Sequence, residues 1–311
     1  MSNTTKEFVV PHYLSGSRLD KAAAQLAAGL SRARVKKAIE DGAVRVDGHY
    51  RPKGGTVSVG EVITIELGDV PDPTSPCLPT PEAPLVVRLE TPHVIVADKP
   101  AGQPTAPLRP GETGTIANAL VGRYPEIAGV GYGAREPGVV HRLDTDTSGL
   151  LAVARTAEAF EIMKAALKDD RFQKDYLLIC LEEGLPDSGT IEFPIANHPK
   201  DQRRVYACIH PRDVMRNAPR PASTQYEVVR RVGLYALVRV HVARALRHQI
   251  RVHFAAIDHA LVGDALYGGP PVAGLERHAL HASRIAFAGA GIIPPFDVES
   301  PLPPEMQVLV D

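Results

Sequence analysis

The sequence predicts an α+β protein that is divided into two domains. Its 311 residues exceed one domain of ordinary size, and an apolar content of 44% is enough for packed cores. A segment rich in proline occupies residues 69–84, and helical as well as strand-like spacing of apolar residues occurs on both sides of it. Because proline removes backbone donors and favours extended chain, we expect a small domain over residues 1–68, a linker over 69–84 and a large domain over 85–311.

The charge of the chain is unevenly distributed. The whole sequence carries a net charge of −1, which by itself argues against a nucleic-acid partner. By segment, however, the net charge is +3 over residues 1–68, −8 over 69–198, +8 over 199–260 and −4 over 261–311. Each basic segment is compatible with a solvated face or with a surface that binds a polyanion.

Cysteine usage and hydropathy restrict the class of protein. Cys77, Cys180 and Cys208 are far apart and form no Cys-x-x-Cys pair, which excludes a zinc ribbon and a disulfide framework. The first residues contain no apolar signal core, and no apolar run is long enough to span a membrane. We therefore expect a cytoplasmic protein with no membrane partner.

The small domain combines two helices with a strand pair. Residues 17–30 place leucines at helical spacing, and a second helix is predicted from Ser31 as N-cap to Gly42 as the residue after its end. Alternating apolar residues predict strands over 43–48 and 57–67. The second helix carries a set of basic residues: Arg32, Arg34, Lys36 and Lys37.

This order of elements, over about residues 18–67, resembles the S4-like RNA-binding domain. The resemblance implies that the basic helix binds structured RNA. Neutralising phosphates releases counterions, so such binding is sensitive to salt and carries little sequence information by itself.

The densest motif of the large domain is HRLDTDTSG at residues 141–149. His141, Asp144 and Asp146 are possible metal ligands, but no second cluster has recognisable ligand spacing. A nucleophile elbow at Ser148 is excluded because Gly-x-Ser-x-Gly is absent. The residues alone favour a third interpretation, in which Asp144 is a buried structural carboxylate.

Five motifs in order resemble the RluA family of pseudouridine synthases. Besides HRLDTDTSGLL, they are HVIVADKPAG at 93–102, Lys-x-Tyr at 174–176, RHQIRVHFAAIDHALVGDALYGG at 247–269 and HALHASRIAF at 278–287. The resemblance implies a catalytic domain built on a mixed, mainly antiparallel sheet flanked by helices. It further implies isomerisation of specific uridines in structured RNA, after base flipping, with no cofactor and no metal.

The resemblance also implies three catalytic residues. Asp144 would be the catalytic aspartate, acting either as a nucleophile at the ribose or as a base. Arg251 would hold this carboxylate ionised, because a guanidinium offsets the cost of desolvation. Tyr176 would lie against the uracil and is a candidate for removing the proton from C5.

Further residues would contact the substrate. Leu280 would form an apolar wall beneath the base, and Arg142 would fill the gap that the extruded base leaves. Lys99 would serve either structure or phosphate binding. Arg247 is expected on the same helical face as Arg251, because the two are four residues apart.

One position departs from the family pattern. Leu246 replaces an arginine that usually precedes the His-Gln-Ile-Arg sequence, and Arg244 and Arg247 are the candidates to compensate. The S4-like domain favours ribosomal RNA as the substrate, with transfer RNA as the alternative, and we expect a monomer. Rival functions are a non-catalytic RNA-binding or ribosome-assembly protein and a metal-dependent hydrolase that uses His141, Asp144 and Asp146.

Overall fold

A computed structural model describes residues 4–27, 30, 32–67, 75–243 and 245–311. The predicted N-cap Ser31 and the candidate Arg244 lie outside these residues, as does the side chain of Arg34. The chain divides into two compact units, Met1–Ser75 with Arg109–Gly111 and Pro76–Leu108 with Glu112–Asp311. Each unit is described by itself below.

The first unit is a small antiparallel sheet with two helices. In chain order its elements are β1 (Thr4–Val9), α1 (Leu19–Leu26), α2 (Arg32–Glu40), β2 (Val44–Val46), β3 (His49–Tyr50) and β4 (Val62–Leu67). The strand order is β1-β4-β2-β3. Leu19 of α1 and Ile39 of α2 are fully buried among the apolar residues of the sheet. Gly42 has φ +77°, the left-handed conformation that ends a helix, as its position after α2 predicts.

The second unit contains a nine-stranded mixed sheet. Its strands are β5 (Val86–Glu90), β6 (Val94–Lys99), β7 (Ser148–Ala154), β8 (Phe172–Leu181), β9 (Ser188–Ile191), β12 (Thr224–Val232), β13 (Tyr235–His241), β14 (Leu280–Phe287) and β15 (Phe296–Glu299). Two further strands, β10 (Ile195–Asn197) and β11 (Val205–Ala207), form a separate antiparallel pair. The order is β5-β6-β7-β14-β8-β13-β12-β9, with β15 also paired to β14. Only β7 and β14 pair in parallel among the described strands, so the expected mixed, mainly antiparallel sheet is confirmed.

Helices cover both faces of this sheet. The helices of the unit are α3 (Ile116–Arg123), α4 (Ala157–Lys168), α5 (Pro211–Asn217), α6 (Gln249–Ala256) and α7 (Pro304–Gln307). All seven residues of β7 are buried, and successive side chains point to opposite faces. Leu150 packs in the cluster that contains Phe160 of α4, whereas Leu151 packs with Leu120 of α3. A strand buried on both sides explains why this part of the sequence is continuously apolar.

The start of β7 lies very close to β14. Gly149 has φ +112°, and a Cβ atom there would lie 2.2 Å from the carbonyl oxygen of Ala282. Only glycine therefore permits this approach. The close pairing brings the segment before β7, which contains Asp144, beside the first residues of β14.

The described part of the proline-rich segment is not free chain. The backbone N–H of Cys77 donates to the carbonyl of Ala134 at 2.8 Å, and that of Thr80 donates to Asn118 of α3 at 3.0 Å. The Asn118 amide in turn donates to the Leu78 carbonyl at 2.7 Å. Residues from Pro76 onward thus pack on the second unit.

Among the described residues, no helix combines the length and the apolar character needed to cross a bilayer. Within the same residues, no three or more His, Cys, Asp or Glu side chains are grouped so as to hold a metal ion.

Candidate active site

The loop that carries Asp144 is held in place by hydrogen bonds to the side chains of Thr105 and His278 and by one within its own backbone. The Thr105 hydroxyl donates to the carbonyl of Leu143 at 2.8 Å and accepts from the Leu143 N–H at 3.2 Å. The N–H of Thr147 donates to the Asp144 carbonyl at 3.1 Å, and the Thr147 hydroxyl is bonded to His278 at 2.8 Å. These contacts leave the Asp144 side chain directed away from the core, with 25% of it exposed.

Lys99 is a second support of this loop. It is fully buried, and its ammonium group donates to the carbonyls of Pro100, Gln103 and Thr145 at 2.9, 2.8 and 2.8 Å. Burial lowers the pKa of Lys99 to about 7, although the charges of Asp146 and Asp144 act in the opposite direction. Since all three N–H donors are used by carbonyls, the geometry favours the structural alternative over phosphate binding.

Asp144 forms an ion pair with Arg251 of α6. The Arg251 Nη1 lies 3.1 Å from Asp144 Oδ2, while its Nε and Nη2 donate to the two oxygens of Asp264 at 2.7 and 2.8 Å. Burial by itself would lower the pKa of Arg251, but the hydrogen bonds and charges of Asp264 and Asp144 raise it above its ordinary value. The bidentate contact with buried Asp264 fixes the guanidinium, so that one edge is left for Asp144.

A histidine and a tyrosine complete the surroundings of this ion pair. His248 Nε2 lies 3.6 Å from Asp144 Oδ2, and its Nδ1 lies 2.9 Å from the Tyr267 hydroxyl. The Tyr267 ring also packs 5.2 Å below the Arg251 guanidinium carbon. Burial lowers the pKa of His248, against the opposing charge of Asp144, and this favours a neutral ring beside the carboxylate.

Tyr176 and Leu280 form the apolar side of the site. They lie on adjacent strands, β8 and β14, and are only 5% exposed. Together with Asp144, Arg251 and Ile250 they line a pocket of about 50 Å³. Burial and then the charge of Asp144 raise the pKa of Tyr176, so its hydroxyl stays protonated. Among the described residues this hydroxyl has no hydrogen-bond partner, which leaves it available to a ligand.

This pocket is the inner end of a larger cavity of about 840 Å³. Asp144 is the single carboxylate among the described residues that line it. The cavity is otherwise rich in cations: Arg142, Lys164, Lys168, Lys174 and Arg247. A cavity with this balance attracts an anionic substrate.

Arg142 and Arg247 both line the cavity but differ in their contacts. The Arg142 side chain is 64% exposed and lies 3.0 Å from Glu136. Arg247 donates to the carbonyls of Gln202 and Arg204, each at 2.9 Å.

The expectation that Arg247 and Arg251 share a helical face is wrong. Helix α6 begins at Gln249, and His248 adopts the left-handed conformation with φ +53°, so Arg247 precedes the helix. Leu246, at the position that departs from the family pattern, packs against the cluster that contains Tyr267 and also lines the cavity.

In the first unit, the predicted basic helix α2 presents Lys36 and Lys37 to solvent. Arg32 instead donates to Asp20 at 3.1 Å, and Asp20 also accepts from Arg18 at 3.0 Å. Burial would raise the pKa of Asp20, but the hydrogen bonds from the two arginines lower it overall. Arg32 is therefore partly engaged in linking α2 to α1.

Several residues of the site have no predicted role. Asp264 and Tyr267 belong to the motif at residues 247–269 and Lys174 to the motif at 174–176, but the sequence assigns none of them a function. The signal for Asp264 is weak, because it lies thirteen positions from Arg251 in the sequence and contacts it only in the folded chain. The signal for Lys174 was available, because strand residues two apart point to the same face and Tyr176 is two residues on.

Comparison with known proteins gives two family matches. Residues 93–256 match the model described as RNA pseudouridylate synthase, and residues 17–63 match the S4 domain. The first match contains Asp144, Tyr176 and Arg251, and the second contains α2.

Curated relatives are similar over almost the whole chain. The ribosomal large subunit pseudouridine synthase D of Xanthomonas campestris is 31% identical, covering 100% of this chain and 93% of its own. The protein of the same name from Nitrosomonas europaea is 34% identical, covering 99% and 88%. Among solved structures, human RNA pseudouridylate synthase domain containing 1 is similar with a TM-score of 0.57 at 23% identity, covering 73% of this chain and 88% of its own. That structural similarity concerns the fold.

Proposed function

Because the chain belongs to the RNA pseudouridylate synthase family, we propose that its cavity around Asp144 isomerises uridines of large-subunit ribosomal RNA. The chain is an RNA pseudouridine synthase with an S4 domain, and its substrate is RNA. Ribosomal RNA is the proposed target because relatives similar over the full chain are named for the large ribosomal subunit. Transfer RNA is the alternative. We further propose that the protein acts in the cytoplasm as a monomer.

One observation carries the assignment of the site. Asp144 lies 3.1 Å from the fixed Arg251 guanidinium at the inner end of a cavity whose other walls include Tyr176 and Leu280. The reaction breaks the bond between uracil N1 and ribose C1′, turns the base and joins C5 to C1′. The proton leaves C5 and N1 regains one, so no redox change is involved.

Asp144 is proposed to act at the ribose, either as a nucleophile on C1′ or as a base for the neighbouring ribose proton. Both roles require an ionised carboxylate. Closure of RNA over the cavity would remove water, and desolvation disfavours the ionised form. Arg251 offsets this cost because Asp264 holds its charge in place.

Tyr176 is proposed to contact the uracil, with Leu280 of the adjacent strand forming the apolar wall beneath the base. A protonated phenol can donate to a carbonyl of the base. If its oxygen takes the C5 proton, the phenolic proton must leave in the same step, because the raised pKa disfavours a standing phenolate.

The remaining predicted residues receive different roles. Arg142, largely exposed at the cavity, is proposed to occupy the space that the extruded base leaves. Lys99 is proposed to position the Asp144 loop. Arg247 is proposed to support the backbone at residues 202–204 beside the RNA.

The S4 domain is proposed to dock structured RNA with α2. Lys36 and Lys37 are exposed and available to phosphates, whereas Arg32 shares its charge with Asp20. Such contacts would hold the RNA without specifying its sequence.

The test is release of tritium from RNA labelled at uracil C5. The RNA is total cellular RNA from a strain that lacks the gene, separated into ribosomal and transfer fractions. We expect release from large-subunit ribosomal RNA by the wild-type protein and none by Asp144→Asn. Release from transfer RNA alone would overturn the ribosomal target. The absence of release from every fraction would favour a non-catalytic RNA-binding protein, and release that EDTA does not affect would count against the metal-dependent rival.

A further inference from the structure

Lys174 is a buried cation in the wall of the cavity. It lies on β8, is 4% exposed, and is two residues from Tyr176 on the same face of the strand. Among the described residues, no carboxylate oxygen lies within 4.0 Å of its ammonium group and no acceptor is bonded to it. Burial lowers the pKa of Lys174 to about 8, against the charge of Asp170.

Lys99 shows how this fold treats a buried lysine that has a structural role. Its three donors reach three carbonyl oxygens between 2.8 and 2.9 Å. Lys174 is almost as deeply buried but lines the cavity instead. A buried charge that the protein leaves unpaired is costly unless a ligand supplies the counter-charge.

His141 lies near Lys174 and also lines the cavity, and it adds no second positive charge there. His141 Nε2 accepts the backbone N–H of Ala152 at 3.1 Å, so in the neutral ring the proton is on Nδ1. Burial and then the charge of Lys174 lower the pKa of His141 to about 3, which keeps the ring neutral. Its Nδ1 is buried without a hydrogen-bond partner in the described part of the chain.

The chemistry of the substrate limits which group can bind to Lys174. Uracil and ribose are neutral, so only a phosphodiester of the RNA can neutralise Lys174. Residues two apart on a strand are separated by roughly 7 Å, which is within the reach of a single nucleotide. Tyr176 and Lys174 can therefore contact the base and a phosphate of the same nucleotide.

We propose that Lys174 is the phosphate site for the nucleotide whose base enters the pocket beside Tyr176. This inference rests on the proposed function, because it needs RNA in the cavity. Lys164 and Lys168 lie on one face of α4 and also line the cavity, so they extend the cationic surface beyond this site. Bound RNA then acquires a fixed register relative to Asp144.

The test compares Lys174→Met, Lys174→Arg and the control Arg123→Gln. Met keeps the length of the side chain without its charge, and Arg keeps the charge. Arg123 is exposed at the end of α3 and does not line the cavity. Tritium release from the large-subunit ribosomal transcript yields kcat and KM, and the salt dependence of Kd is measured for each variant combined with Asp144→Asn.

For Lys174→Met we expect a KM raised roughly 10- to 100-fold, as for loss of one charged hydrogen bond. The slope of log Kd against log salt should fall by about 0.7 to 0.9, whereas Lys174→Arg and Arg123→Gln should keep it. Thermal unfolding of Lys174→Met should be unchanged or shifted upward, because the variant removes a desolvated charge.

Wild-type KM and an unchanged salt slope in Lys174→Met would overturn the phosphate site. A fall in kcat alone, or a lowered melting temperature that accounts for the whole loss, would overturn it too. These outcomes differ from failure of the proposed function, in which the wild-type protein itself releases no tritium. Even then the salt slopes decide whether Lys174 contacts a phosphate.

Discussion

Helix α2 and the cavity around Asp144 both present cations, but these cations differ in their burial and in their partners. On α2 the charges are exposed, and Lys37 has an exposed partner in Asp41 at 3.0 Å. In the cavity, Arg251 is fixed by buried Asp264, and Lys174 has no partner among the described residues. Exposed charges adapt to many RNA geometries and are screened by salt, whereas buried ones are preorganised for one arrangement.

The largest expected effect is in the cavity, with Arg251→Lys. An ammonium group cannot hold Asp264 through two parallel hydrogen bonds and also reach Asp144, so we expect kcat/KM to fall by roughly 100- to 1000-fold. Tritium release measures this loss. Arg239→Lys is the matched control, because Arg239 is an exposed arginine of β13 that pairs with Glu227 of β12. This variant should behave as wild type. Near-normal turnover of Arg251→Lys would mean that the buried, fixed arginine of the cavity matters no more to the reaction than an exposed arginine.

A smaller effect is expected on α2, from the double variant Lys36→Gln with Lys37→Gln. We expect KM to rise roughly tenfold with kcat unchanged, because exposed phosphate contacts contribute to binding and not to the chemical step. Loss of the exposed Lys37–Asp41 pair should change the free energy of unfolding by only about 0.5 kcal/mol.

The matched control for the helix is Lys6→Gln with Lys21→Gln, which removes the same charge from exposed positions on β1 and α1. Binding and steady-state kinetics on the large-subunit transcript should separate the two pairs. An equal rise in KM for both pairs would mean that binding depends on the total charge of the domain and not on the location of the lysines on α2.

The third expected effect concerns stability against acid in the second unit. His278 is 4% exposed, and its burial lowers its pKa from 6.5 to about 3. The unfolded chain therefore binds this proton first, so the stabilisation is complete above pH 6.5 and is lost as the pH falls toward 3. In the first unit, by contrast, His12 and His49 are exposed.

Urea unfolding between pH 6.5 and 5 tests this difference, since most carboxyl groups do not titrate there. We expect the pH slope of the free energy of unfolding in His278→Gln to be smaller than in wild type by about 1 kcal/mol per pH unit, because the unfolded histidine is half protonated at pH 6.5 and almost fully protonated at pH 5. An identical slope in wild type and His278→Gln would contradict the expected contribution of buried His278.

Patterns in the sequence predicted much of the fold because they are local. Periodic apolar residues predicted α1 and α2, and Gly42 marked the end of α2. Where long-range contacts decide, the pattern was insufficient. The strand predicted over residues 57–67 begins only at Val62, and α6 begins after Arg247 because His248 adopts a left-handed conformation.

For the site, the motifs of the sequence determined which residues deserve attention: Asp144, Tyr176, Arg251 and Leu280. They also determined the class of protein, since motif order survives in the linear chain. Only the tertiary structure decided how charges are shared. Lys99 donates to three backbone carbonyls, and Asp264 fixes Arg251 through two hydrogen bonds. Lys174 lies beside Tyr176 without a partner among the described residues. Burial and partner geometry set the energy of a charge, and both arise from contacts between residues far apart in the sequence.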